Sequence, residues 1–223
     1  LWRRPFRNGI LILCVATVVG MQVAAALIDR ASQYGLLLGI QRLGVDLVAV
    51  PRGLSEEMER SYISGEAALF YMDRSLEARI AEFEFVDQTS VQVFIKSLAK
   101  TSCCSFWGIF LIGFEPDTDF TIRPWLSQHM DRAIEPDEVL VGAALGVEPG
   151  SNLKFYGHEF KVAGVLDPTG MGMDATVFIP IQTAYLMARE STVKAEKPLD
   201  LKRDQISAVL IKLKPESEAG IPA

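Results

Sequence analysis

Residues 9–28 read GILILCVATVVGMQVAAALI, a run of 20 residues without a charged side chain. As an α-helix this run would be ~30 Å long, which is the thickness of the hydrocarbon core of a bilayer. Arg3, Arg4 and Arg7 precede it without any acidic neighbour, and flanking arginines tend to stay in the cytoplasm. The sequence therefore predicts a cytoplasmic basic flank at 1–8 and a single membrane helix at 9–28. The main domain would lie on the periplasmic or extracellular side of the cell's inner (cytoplasmic) membrane.

Two other interpretations of this run remain open. A secretory signal peptide also has a basic start and an apolar core, although that core is usually only ~7–15 residues long. The alanines at 24–26 would supply the small residues of a cleavage site. A buried helix of a soluble protein is the other alternative. The length of the apolar run favours a retained membrane helix.

The charge of the remaining chain excludes one class of function. Residues after 28 carry 28 acidic and 19 basic side chains, a net charge of −9. Nucleic-acid binding requires a basic face, so it is not expected. The length of this part is enough for one large domain or two small lobes. Three cysteines in 223 residues are too few for a disulfide scaffold.

The order of apolar residues predicts a mixture of strands and helices. Strands that lie far apart in sequence, with few strand–helix–strand units, favour an α+β fold. Alternation and bounding Gly or Pro residues mark the strands, and longer periodic stretches mark the helices. The predicted strands are 44–51, 85–98, 107–114, 138–142, 152–156, 159–166, 176–179 and 206–213. The predicted helices are 29–43, a segment beginning at Ser55, 69–83 and 181–190.

The order of several motifs resembles a known family. RRP precedes the apolar run, and RLGVDLVAVPRG follows it at 42–53. EVLVG, FKVAGVL, VFIPIQTA and ISAVLIKLK then begin at residues 138, 160, 177 and 206. Each motif alone is weak, but in this order they resemble the N-terminal half of permease subunits of FtsX/MacB-type ABC transporters. The resemblance covers nearly the whole chain.

This resemblance implies one N-terminal transmembrane helix followed by a two-lobed extracytoplasmic mixed α/β domain, like the MacB periplasmic core domain. It also implies that the domain has no catalytic residue and transmits ATP-driven motion to a partner or substrate outside the membrane. The implied partners are a cytoplasmic ABC ATPase subunit that uses ATP, a second permease copy or paralogue, an extracytoplasmic partner protein and membrane lipid. The implied segments are a stalk helix at 29–43, a porter-like lobe at 40–100 and 167–214, an inserted β-rich lobe at 101–166, and a tail at 215–223 that leads to further membrane helices.

The adjacent Cys103 and Cys104 are the sharpest chemical feature. Outside the cytoplasm thiols tend to be oxidised, so the two could form a strained vicinal disulfide. Two small buried residues, or cysteines that pair in a partner subunit, are equally compatible with the sequence. Two soft thiolates could instead bind Cu(I), zinc or iron. A single-pass membrane-anchored module for metal binding or thiol redox chemistry is therefore the alternative function. A secreted enzyme with a cleaved signal is a third, weaker hypothesis.

Other candidate residues carry weaker signals. Met171 and Met173 lie in a glycine loop and could add thioether ligands to a metal site, but packing under the loop is the more common role of methionine. Trp125 and Asp174 are predicted to face a partner. Glu115, Asp117 and Asp119 alternate in a turn, where capping is favoured over Ca²⁺ binding. His129 and His158 have no metal-ligand spacing, and a surface location is predicted for both. The sequence contains no phosphate loop, nucleophile elbow or HExxH motif.

Overall fold

The computed structural model describes residues 5–98, 104–106, 108–130 and 132–215. The chain divides into two compact units, Leu1–Gly39 and Ile40–Ala223. Most of helix α1 (Pro5–Leu43) lies in the first unit. Its last four residues, 40–43, belong to the second unit. The prediction that residues 29–43 continue the apolar helix is confirmed.

Helix α1 has the length and composition of a membrane span. Its segment Asn8–Leu27 has a mean hydropathy of 2.5 and none of it is buried. Large apolar side chains such as Leu13, Val18 and Met21 are more than half exposed. Among the described residues this is the one helix long and apolar enough to cross a membrane. Each end of the segment differs by one residue from the predicted limits 9–28.

Among the described residues, the second unit contains a mixed sheet and four α-helices in addition to the end of α1. Eight strands form this sheet in the order β1-β10-β3-β4-β8-β5-β7-β6, and β2 pairs with β9 in a separate two-stranded sheet. The pairs β4–β8 and β5–β7 are parallel, and all other pairs are antiparallel. The strands are β1 (Leu47–Ala49), β2 (Met72–Asp73), β3 (Val86–Lys96), β4 (Phe110–Phe114), β5 (Glu138–Val141), β6 (Asn152–Phe155), β7 (His158–Val165), β8 (Thr176–Pro180), β9 (Gln205–Ile206) and β10 (Ala208–Leu213). The helices are α2 (Ser55–Ser64), α3 (Ser75–Ala81), α4 (Arg123–His129) and α5 (Ile181–Lys194), and short 3₁₀ helices cover Ala143–Leu145 and Gly172–Ala175.

This sheet joins strands from the two segments that the sequence assigns to separate lobes. Strands β4 and β5 come from 101–166, and both hydrogen-bond to β8 from 167–214. A boundary between lobes therefore does not coincide with a boundary between sheets. The two-lobe division stays a prediction.

Alternate side chains of the central strands enter two apolar clusters. Val93 and Ile95 of β3 belong to a cluster with residues of α5, called here the α5-side cluster. Phe94 belongs to a second cluster with Met58 of α2, called here the α2-side cluster. Phe94 meets the rings of Phe70 and Phe110 edge to face, with centroids 5.7 and 5.1 Å apart. The period of two along β3 thus places apolar residues in both clusters, as expected of a strand covered on both faces.

Two elements differ from the sequence prediction. The helix predicted at 69–83 is confined to α3, because residues 72–73 pair with β9 more than a hundred residues later. Helix α4 was not predicted. The sequence nevertheless contains a helix pattern here: Ile122 and Leu126 are four residues apart and both buried, and Pro124 lies in the first turn.

Candidate functional site

The first and last strands of the domain lie side by side. Leu47 of β1 is opposite Ile211 of β10 in an antiparallel pair. The Asp46 N–H donates a hydrogen bond to the Ile211 carbonyl over 3.2 Å, and the Leu213 N–H donates one to Asp46 Oδ2 over 2.8 Å. Gly44, with φ of +64°, supplies the left-handed turn after α1. The chain therefore enters and leaves the sheet at one place, which we call the entry–exit junction (Asp46, Ile211 and Leu213).

An exposed aromatic pair lies at the same end of the sheet. The Phe83 and Phe85 rings stack with centroids 5.3 Å apart and planes inclined by 15°. They are 54% and 42% exposed. The Lys214 N–H, one residue after β10, donates to the Phe85 carbonyl over 3.0 Å, which ties the pair to the exit of the chain.

The glycine loop at 169–174 is organised by one carboxylate. Asp174 Oδ1 accepts hydrogen bonds from the Thr169 N–H and hydroxyl, and Oδ2 accepts one from the Gly170 N–H, each over 2.8 Å. The predicted contact between Asp174 and a partner stays a prediction. In this structure the carboxylate shapes its own loop.

Glycines also fix the position of this loop. A Cβ on Gly172 would overlap the backbone nitrogen of Gly65 at the end of α2. A Cβ on Gly142, just after β5, would overlap the carbonyl oxygens of Met173 and Asp174. The loop backbone is therefore packed directly against two other backbone segments, which only residues without a side chain permit.

The candidate metal ligands are dispersed. Met173 is buried in the α2-side cluster, whereas Cys104 is buried in the α5-side cluster and its Sγ accepts a hydrogen bond from the Tyr156 N–H over 3.5 Å. Met171 is half-buried, and Cys103 lies outside the described residues. Within the described parts of the chain no three His, Cys, Asp or Glu side chains are grouped to hold a metal. The structure does not bring Cys104 and Met173 together, and metal or disulfide chemistry at Cys103 and Cys104 stays a prediction.

Trp125 packs on the sheet. The edge of its indole ring lies over Gly164 of β7, where an added Cβ would be 2.6 Å from the ring. The residue is half-buried among the α2-side cluster. Its predicted role in facing a partner stays untested.

A buried polar network was not expected from the sequence. Asp119 is fully buried and accepts hydrogen bonds from Gln92 Nε2 over 2.8 Å and from the Thr121 N–H over 2.9 Å. The Tyr62 hydroxyl donates to Gln92 Oε1 over 2.7 Å. Burial raises the pKa of Asp119 although these donors favour its carboxylate, and burial together with the Asp119 charge raises the pKa of Tyr62. The capping role predicted for the 115–119 turn is confirmed at Asp119.

A second set of polar contacts joins the two-stranded sheet of β2 and β9 to the eight-stranded sheet and to α5. Arg74, next to β2, pairs with Glu115, which follows β4. The backbone N–H of Arg74 also donates to the Asp204 carbonyl over 2.8 Å. The Tyr185 hydroxyl of α5 donates to the Gln205 carbonyl over 2.8 Å. These contacts connect four segments of the chain, at residues 74, 115, 185 and 204–205.

An apolar N-terminal helix followed by a mixed α/β domain is the arrangement that the sequence predicts for a domain of the transporter-permease class, which is typically non-catalytic. The model of the MacB-like periplasmic core domain matches residues 9–220. The chain therefore belongs to this family, found in MacB/FtsX-type ABC transporters, and the predicted family and fold class are confirmed. None of the curated proteins matches the chain significantly.

Two solved structures are similar to this chain. The periplasmic region of MacB from Actinobacillus actinomycetemcomitans aligns with a TM-score of 0.45 and 12% sequence identity, over 78% of each chain. The extracellular domain of the noncanonic ABC-type transporter YknZ from Gram-positive bacteria aligns with a TM-score of 0.40 and 14% identity, over 67% of this chain and 77% of that one.

Proposed function

We propose that this domain transmits motion, driven by a separate cytoplasmic ATPase subunit, to a partner or substrate outside the membrane. The chain is anchored by α1 with its N-terminus in the cytoplasm, as Arg3, Arg4 and Arg7 indicate. The domain itself needs no catalytic group for this role. Its task is to move as a body when the membrane segments move.

The observation that supports this proposal is the pairing of β1 with β10 at the entry–exit junction. Strand β1 follows α1 in the chain, and β10 hydrogen-bonds both to β1 and to the long central strand β3. A displacement of α1, or of the chain that follows β10, is therefore passed to the central strand β3 through backbone hydrogen bonds. Strands bonded in this way move together, because sliding one past another breaks several bonds at once.

The test uses the full-length permease with its ATPase subunit in lipid nanodiscs. A spin label at Val193, which is 90% exposed near the end of α5, reports the distance between two copies of the domain. We expect the distance distribution to change between the nucleotide-free and ATP-bound states. Identical distributions in both states would refute the proposal.

A matched pair of variants examines the junction itself. Asp46→Ala removes the acceptor for the Leu213 N–H, whereas Asp46→Asn keeps an oxygen at that position. We expect Asp46→Ala to reduce the ATP-dependent distance change while ATP hydrolysis continues. Asp46→Asn should behave much more like the wild type.

A further inference from the structure

His158 lies buried between two carboxylates from different parts of the domain. It is the first residue of β7, at the turn of the β6–β7 hairpin, and it is only 8% exposed. Its Nδ1 is 2.9 Å from Glu190 Oε2 of α5, and its Nε2 is 3.1 Å from Asp137 Oδ1 in the segment before β5. The predicted surface location of His158 is therefore wrong.

This geometry depends on the protonation state of the ring. An ionised carboxylate only accepts hydrogen bonds, and a neutral imidazole has a single N–H. Both contacts can be hydrogen bonds at once only when the ring is an imidazolium. We propose that His158 is a proton-operated clamp: as an imidazolium it holds both Asp137 and α5 to the β6–β7 hairpin, and as a neutral ring it releases Asp137.

Asp137 is the partner that should be released. Glu190 is anchored a second time, by Lys194 Nζ at 2.7 Å, and Lys194 and His158 hold the pKa of Glu190 below its ordinary value. Asp137 is 71% exposed and has the longer contact. When Nε2 loses its proton to water, its lone pair faces the Asp137 oxygen, and that side chain can turn into solvent at little cost. The neutral ring keeps Nδ1–H for Glu190.

The surroundings keep the ring in place while this happens. The Phe160 ring lies 4.7 Å from the imidazole, and Gly157 packs directly on Lys194. The charged groups that face His158 are Asp137 from the preceding segment and Glu190 from α5, with Lys194 bonded to Glu190. On β6 the nearest charged side chain, Lys154, pairs with Glu159 at 3.7 Å.

The release is local. The Thr183 hydroxyl of α5 donates to the Pro136 carbonyl over 2.5 Å. This bond keeps the segment before β5 attached to α5 in both states, so that release of Asp137 loosens the segment without detaching it. An imidazolium gives up a ring proton as the pH rises. The clamp therefore responds to acidity in the compartment that surrounds the domain, with the closed form in acid and the open form at higher pH.

The test is an NMR titration of the full chain in detergent micelles with ¹⁵N-labelled histidine. The chain has only two histidines, so His129→Gln assigns the signals without touching the clamp. We expect both ring nitrogens of His158 to be protonated at the acidic end of the titration and Nε2 to lose its proton first as the pH rises. A neutral ring that keeps Nε2–H, or one that stays neutral across the whole range, would overturn the proposal.

Amide exchange supplies the second measurement. Exchange protection at residues 134–138 should fall several-fold across the titration of His158, while protection at 186–194 stays constant. Asp137→Asn changes an exposed side chain and should abolish this pH dependence, so the test does not rely on a variant at the buried histidine. Equal pH dependence in the wild type and Asp137→Asn would show that no clamp exists.

Discussion

Asp46 and Leu213 are 167 residues apart in the chain, yet the Leu213 N–H donates a hydrogen bond to the Asp46 carboxylate. The contact closes the domain next to the point where it continues from α1. It involves the first polar side chain before β1 and the last residue of β10. Loss of this contact should affect the ends of the domain more than its core.

Asp46→Ala should lower the free energy of unfolding by about 1–2 kcal/mol, because the Leu213 N–H loses its partner. Chemical denaturation of the chain in detergent measures the change. Asp46→Asn is the control and should retain most of the stability. Equal losses in both variants would show that the charge, not the hydrogen bond, is responsible.

Gly172→Ala should destabilise the domain by about 3 kcal/mol or more, because the new methyl group would overlap the Gly65 backbone. Gly53→Ala is the matched control. Gly53 has φ of +85° but open space around it, so this substitution adds only backbone strain of about 1 kcal/mol. Thermal melts of the two variants provide the comparison, and similar melting temperatures would contradict the close packing described for the loop.

Asp119→Asn should change the pH dependence of stability. The pKa of Asp119 is raised in the folded protein, so its contribution is fully present below the unfolded pKa and is lost as the pH rises through the folded pKa. As the pH rises from the unfolded pKa to the folded pKa of Asp119, the free energy of unfolding of the wild type should therefore fall relative to that of Asp119→Asn. Asp117→Asn, at an exposed carboxylate of the same turn, should leave the profile of the wild type unchanged. A constant difference between wild type and Asp119→Asn would contradict the raised pKa.

Cys104 should react slowly with thiol reagents in the folded protein, because it is buried in the α5-side cluster. The measurement is best made in a Cys14→Ala background, with reduced protein before and after denaturation. Fast labelling of both remaining thiols in the native state would contradict the burial.

Metal analysis of the same protein tests the predicted ligand set. Met173 lies in the other cluster, so Met173→Ala should not alter any zinc or copper content that Cys104→Ser removes. Parallel loss of metal in both variants would show that one ion joins the two residues.

The strands were the most predictable part of the fold. Alternation in β6 and β7, the short apolar runs of β8 and β10, and the turn at Gly157 are local signals that the folded sheet retains. The helix predicted at 69–83 was too long, because the pairing of β2 with β9 is a long-range effect that periodicity does not carry. The sequence also gave no sign that strands from 101–166 would lie within the same sheet as those from 167–214.

The polar contacts were the least predictable part. Asp119 was recognised as a capping residue, but its burial against Gln92 depends on where β3 lies. His158 was assigned to the surface because it has no metal-ligand spacing to His129, and its actual partners, Asp137 and Glu190, are 21 and 32 residues away. Such pairings depend on tertiary packing, which local patterns in the sequence do not show.

The adjacency of β1 and β10 makes the stretch from Asp46 to Leu213 a transferable cassette. A chimaera that exchanges this stretch between related transporters needs to match only one short spacing, that between its two ends. The membrane segments of the host would then connect to the exchanged domain through the same pair of strands, and differences between the two proteins could be traced to the exchanged residues.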